Sequence, residues 1–137
     1  MSYDLMVFEK TKAPANRKDF MAWFEKQVEW GEDHDYASIH VSSPALQNWF
    51  MEMKETFPPM NGEYAPDPEL LDEDENLESH TVDYCIGRDV IYAAFAWSAA
   101  EEAYELMREL AEKHGVGFFN VSADNGEIIL PDGTAMA

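Results

Sequence analysis

Residues 90–121 read VIYAAFAWSAAEEAYELMRELAEKHGVGFFNV, and this stretch decides the fold. Its first eight residues, 90–97, carry no charge, proline or glycine, and read as a buried strand. Ser98 follows at once, with Glu101 three residues later. That spacing predicts a capping box, in which hydroxyl and carboxylate satisfy amides left open at a helix start. The helix should run to about His114, and Gly115 suits the left-handed position just past its end. Residues 116–121 then read as a second strand. Strand, capped helix and strand in close succession predict a right-handed crossover. The stretch holds no recognisable catalytic device.

Working outward, residues 3–8 read as an N-terminal strand. Asn16 can cap a helix from Arg17 to about Trp30, with Phe20, Trp23, Phe24 and Gln27/Val28 on its buried side and Gly31 ending it. Residues 36–41 alternate weakly, as a short strand would. Ser43 before Pro44 is a cap with proline at the first helical position. The helix they open should reach about Phe57, burying Leu46, Trp49, Phe50, Met53 and Phe57. Pro58 and Pro59 then stop it.

Residues 60–79 break the pattern with Asn61, Gly62, Pro66 and Pro68, and add carboxylates without a Lys or Arg. They predict a long acidic loop at about 60–80, with one helical turn near Leu70 and Leu71. Loops of this length are uncommon in compact domains and often functional. Residues 81–86 resume as a strand, turned by Gly87-Arg88-Asp89 into the next as a hairpin. On the last helix Ala100, Ala103, Met107, Leu110 and Ala111 should face inward, with Leu106 beside them. Glu109 and Lys113 stand at i, i+4. Asp124-Asn125-Gly126-Glu127 carries a two-residue turn signal, residues 128–130 return as a short strand, and the tail after Pro131 should fray.

The predicted fold class is α+β: a mainly antiparallel sheet of four to five strands with three helices packed on one face. Without the second helix the order approaches a ferredoxin-like arrangement. The length, 137 residues, predicts a single domain spanning 1–137. Cys85 is the only cysteine, so no internal disulfide is possible and a cytoplasmic protein is expected. Residues 1–9 are too short for a signal peptide and carry Asp4. No apolar run approaches the ~20 residues of a membrane span.

Charge is the unusual feature. Nine Lys and Arg face 28 Asp and Glu, for a formal net charge of −19. Residues 1–30 cancel, so the excess lies beyond Trp30, where Lys54, Arg88, Arg108 and Lys113 are the only bases. Such a surface repels nucleic acid and anionic lipid. It attracts basic partners and speeds their encounter.

Catalytic constellations are weak. Cys85, mid-strand, reads as a small buried residue. The histidines His34, His40, His80 and His114 show no paired helical spacing, and His114 suits a helix-dipole contact. Glu32-Asp33-His34-Asp35 and His80 with Asp83 form only loose metal candidates. Asp72, Asp74, Asn76, Glu78, His80 and Asp83 fall near EF-hand offsets. Yet Leu77 stands where glycine is needed, and Asp83 where a bidentate Glu belongs. No catalytic residue, cofactor or metal is assigned, and a binding protein is expected rather than an enzyme.

Residues Tyr3-Asp-Leu-Met-Val-Phe8, Trp49-Phe50, Phe57-Pro-Pro-Met-Asn-Gly62, Ile91-Tyr92-x-x-Phe95-x-Trp97-Ser98 and Lys113-His-Gly-Val-Gly-Phe-Phe-Asn-Val-Ser122 together resemble a group of small acidic bacterial proteins from polymorphic-toxin loci. Many members of that group are immunity proteins. The likeness would cover most of the chain, from Tyr3 to Pro131. It implies an immunity protein, as in contact-dependent growth inhibition, that neutralises a cognate basic toxin domain such as a nuclease. The acidic segments would then meet the partner through Glu32, Asp33, Asp35, Asp67, Glu69, Asp72, Glu73, Asp74, Glu75 and Glu78. Tyr64 and Trp30 are the candidate aromatic anchors. The alternative is a small metal- or ligand-binding, enzyme-like domain using the same acidic loops; an acidic housekeeping module is the third reading.

Overall fold

The computed structural model describes residues 2–123 and 126–136. Five strands, β1 (Tyr3–Phe8), β2 (Asp83–Ile86), β3 (Val90–Phe95), β4 (Gly117–Phe119) and β5 (Ile128–Ile129), form one sheet in the order β2-β3-β1-β4-β5. Every named pairing is antiparallel. The fold class is α+β, as expected. β3 and β4 both run against β1, so they are parallel with β1 between them. The helix α5 (Ala100–His114) joins them as the expected crossover.

Helices α1 (Arg17–Gln27) and α2 (Pro44–Met53) complete the main packing. Side chains alternate across a strand, and β1 splits accordingly. Leu5 and Val7 join Leu46, Trp49, Phe50 and Met53 of α2 and Met107 of α5 on one face. Met6 and Phe8 join Phe20 of α1 and Phe119 on the other. The ferredoxin-like helix layer is therefore α2 with α5, and α1 is the addition, packed on the opposite face. All four residues from Leu5 to Phe8 are fully buried, because both faces of the central strand are covered.

Local chemistry explains where the elements start. Asn16 accepts from Asp19 N and opens α1; Ser43 accepts from Leu46 N ahead of Pro44. The stripe Leu46, Trp49, Phe50, Met53, Phe57 is buried throughout, although α2 ends at Met53. α1 ends at Gln27 with Val28 as its cap, short of Gly31. Residues Ile39–Val41 form a 3-10 turn rather than a strand, because Ser38 caps His40 N. The Ser98 capping box does not form: Trp97–Ala99 is a 3-10 turn, and Ala99 caps α5 without a side-chain bond. Gly115 is left-handed at φ 72°, as expected.

The expected Glu109–Lys113 pair gives way to a longer tie. Lys113 Nζ and His114 Nε2 both reach Glu52 Oε1 on α2, at 2.8 and 2.9 Å. These bonds hold the Glu52 carboxyl below the usual range. The tail does not fray: Leu130 N donates to Thr134 O, Met136 N donates to Ile128 O, and Met136 is buried. This return covers the outer edge of β5. At the other edge Ile86 N donates to Tyr36 O and Val82 N to Pro58 O. Both edges are thus blunted against pairing with another sheet. The Asp124-Asn125 turn signal lies outside the described residues. No helix among the described residues is long and apolar enough to cross a membrane.

Candidate functional site

The acidic segment, expected as a loop with one helical turn near Leu70 and Leu71, forms a short helix there and a second one directly after it. Asp67 caps α3 (Pro68–Glu73) through a bond from Glu69 N at 3.1 Å. Asp74 ends α3 and caps α4 (Glu75–Ser79), accepting from Asn76 N and Leu77 N. Aspartate suits these positions because it satisfies open amides and sits at the positive end of the helix dipole. Neither helix buries a single residue. Leu70 is 52% exposed in the middle of the carboxylates. The two helices form an acidic hairpin standing on the surface.

The hairpin is fastened by a residue assigned no role from sequence. The ring of His80, which caps α4, stacks on the buried Phe57 at 4.9 Å. Its Nδ1 faces Asn76 O at 2.8 Å, and its Nε2 faces Glu102 Oε1 on α5 at 2.9 Å. Both partners accept only, so both ring nitrogens must carry protons to make both bonds. Burial opposes that charge, but the bonds to Glu102 and Asn76 prevail and raise the pKa above the ordinary histidine value. A raised folded pKa contributes stability that is complete below the unfolded value of about 6.5. That stability is lost as pH rises through the folded value. Amide exchange in residues 70–80, corrected for intrinsic rates, should therefore be slower at pH 6 than at pH 8.5. A His80→Gln variant should exchange fast at both. Equal protection at the two pH values in the parent protein would refute the clamp.

The second acidic segment is a pinned loop. Glu32 Oε1 takes His34 Nε2 at 2.6 Å and Arg88 N at 3.1 Å, and Glu32 N donates to the Tyr36 hydroxyl. His34 Nδ1 accepts from Tyr36 N at 3.1 Å, which fixes the ring as the Nε2–H tautomer. Asp35 closes a local turn by accepting from Ala37 N. The two segments meet at Gly62, whose φ is +93°; a Cβ there would lie 2.9 Å from Ala37 O. His40 bridges to Glu63 at 3.1 Å beside this junction. A shallow groove of about 230 Å³ runs along it, lined by Asp35, Ala37, Ser38, Gly62 and Glu63.

The ten candidate carboxylates and Tyr64 thus divide, while Trp30 packs against Tyr36 and Tyr92. Glu32, Asp35, Asp67 and Asp74 spend oxygens on local architecture. Tyr64 packs against Phe50 with Lys54 over its ring at 5.0 Å, so it is rim packing rather than a free anchor. Asp33, Glu69, Asp72, Glu73, Glu75 and Glu78 are exposed, with no hydrogen bond or ion pair from their side chains among the described residues.

Elsewhere the chemistry is quiet. Cys85 is half-buried; burial, then Asp83 and Asp4, push its thiol up and away from the reactive thiolate. Burial and the bond to Asp4 push Tyr92 far up. Among the described residues no group of three or more His, Cys, Asp or Glu converges as metal ligands. No protein-family model, no curated protein and no solved structure matches the chain.

Proposed function

We propose that this chain is an immunity-type inhibitor that binds a basic toxin domain, such as one acting on RNA or DNA, and blocks it. The observation that carries the reading is the α3–α4 hairpin. It holds carboxylates with no Lys or Arg between Lys54 and Arg88, buries none of its own residues, and is fastened at its end by His80. A surface element that contributes no core has its value outside the chain. Carboxylates at this density imitate a phosphate backbone, and Leu70 offers an apolar contact within the charged rim.

The test uses the protein together with the toxin domain encoded immediately beside it, with association followed by stopped flow. A variant carrying Asp72→Asn, Glu73→Gln, Glu75→Gln and Glu78→Gln leaves both helix caps intact. Its association rate at low salt should fall roughly 10- to 100-fold. The parent protein should also lose rate steeply with added salt. Absence of binding at low salt, or binding indifferent to the four substitutions, would overturn the reading.

A further inference from the structure

We infer that the uncovered corner of the sheet's second face is a seat for an arginine side chain of a basic protein partner. The inference rests on the basic-partner reading above and adds a second, separate contact to it. Helix α1 covers only part of this face: Phe20 and Phe24 lie against Phe119 at 5.3 and 4.8 Å, and Phe20 against Phe8 at 4.9 Å. Toward β2 the cover stops. Asp83 is exposed, and Asp4, Cys85, Tyr92 and Ala94 are only half-buried.

The strand register gives this corner its shape. Ala94 pairs with Asp4 on one side and Asp83 on the other; Tyr92 pairs with Met6 and Cys85. The floor is thus small, Ala94 and Cys85. Asp4 and Asp83 stand on the strands to either side of it, whose backbones lie two strand spacings apart, roughly 10 Å. Tyr92 forms the inner wall, and Trp30 stands against it edge-on at 5.9 Å. Trp30 is held at φ +53° and buttressed by Tyr36 at 5.2 Å. Asp4 is oriented by the Ser2 hydroxyl at 2.6 Å and by the Tyr92 hydroxyl. No ion pair ties Asp4 or Asp83 to a Lys or Arg among the described residues.

A floor without bulk, a carboxylate on each side and an aromatic wall suit one kind of occupant. A guanidinium is planar, lies along aromatic rings, and donates in more than one direction at once. An ammonium is compact and more strongly hydrated, and fits a span of this width less well. The excess negative charge of the chain supplies the complementarity that draws a basic partner.

The experiment is a titration of isotope-labelled protein with acetyl-Gly-Arg-Gly-amide, read residue by residue by NMR, with the Lys peptide as comparison. Saturable shifts are expected at residues 83–85 and 92–94 and at the Trp30 indole. Asp83→Asn, exposed and free of structural bonds, should weaken them about tenfold. Ala94→Lys should abolish them by filling the seat. The four-substitution hairpin variant should leave them unchanged. Shifts confined to residues 67–78, shifts spread over every carboxylate without saturation, or shifts indifferent to Asp83→Asn would overturn the seat. The partner reading fails on a different result, namely partner binding that ignores the hairpin.

Discussion

Replacing Gly117 by alanine is expected to destabilise the protein by about 3 kcal/mol, at the upper end for overpacking a core, or to prevent folding outright. Gly117 faces Phe8 across the β1–β4 pair. A Cβ on Gly117 would lie 2.1 Å from Phe8 Cζ and 2.3 Å from Cε2. The phenyl ring is folded over the glycine and occupies the space a side chain would need. It has nowhere to go: Phe8 is fully buried, with Phe20 edge-on at 4.9 Å and Trp23 at 6.2 Å. The substitution therefore displaces α1 or separates β4 from β1. Urea denaturation followed by near-ultraviolet circular dichroism measures the cost. Phe8→Leu placed on top of Gly117→Ala should recover part of the loss, a coupling that a purely backbone effect of the glycine would not produce. A Gly117→Ala protein with the parent midpoint would mean that the ring does not hold this position.

That pairing illustrates how much of the fold was written in the chain. β1, the starts of α1 and α2, the Gly87-Arg88-Asp89 hairpin and the stripe from Leu46 to Phe57 follow from caps and periodicity. The side on which α1 packs was also encoded. Leu5-Met6-Val7-Phe8 does not alternate, and an unbroken apolar strand in an antiparallel sheet needs cover on both faces. Helix periodicity alone says that a helix has a buried side, not which sheet face receives it. Of the hairpin α3–α4 only a turn near Leu70 and Leu71 was legible, and the rest was hidden for a different reason. Proline and dense charge imply a loop by composition. Yet Asp67-Pro68 and Asp74 are helix starts, and local capping outweighed charge repulsion. Tail residues Asp132 and Thr134 likewise form a side-chain turn that returns Met136 to the core.

The candidate site was legible as charge and not as roles. Asp67 and Asp72 look alike in sequence, but one caps a helix while the other faces solvent. His80 could not be found as a clamp, because Glu102 and Phe57 come to it from distant segments. The Asp4, Ala94 and Asp83 row carried a faint signal: a carboxylate within a strand otherwise buried marks a place where the sheet is open. Reading it required the register, since only pairing with β3 brings those residues into one row.

Trp49→Ala should cost about 3–5 kcal/mol, a large share of the 5–15 kcal/mol typical of a folded domain. Trp49 is fully buried between α5 and the sheet. Its Nε1 donates to Met107 O at 3.4 Å, and its ring meets Tyr84 edge-on at 6.5 Å. Tyr84 in turn donates from its hydroxyl to Phe57 O at 2.8 Å, in a setting so buried that its pKa stands well above the ordinary value. Removing the indole opens a cavity bordered by groups that cannot collapse without breaking that bond. Trp49→Phe keeps most of the ring volume and loses the Nε1 bond, so it should cost about 1–2 kcal/mol. The ordering of the two variants, measured by urea denaturation, separates packing from hydrogen bonding. The consequence reaches the surface. Phe57, held by Tyr84, is the platform on which His80 stacks, and His80 fastens the acidic hairpin. A loosened α2–α5 layer should therefore release residues 70–80 to faster amide exchange even where the sheet remains protected. If Trp49→Ala cost less than about 1 kcal/mol, the helical layer would not be what steadies the hairpin. The acidic surface would then need some other source of order before it could meet a partner as a preformed shape.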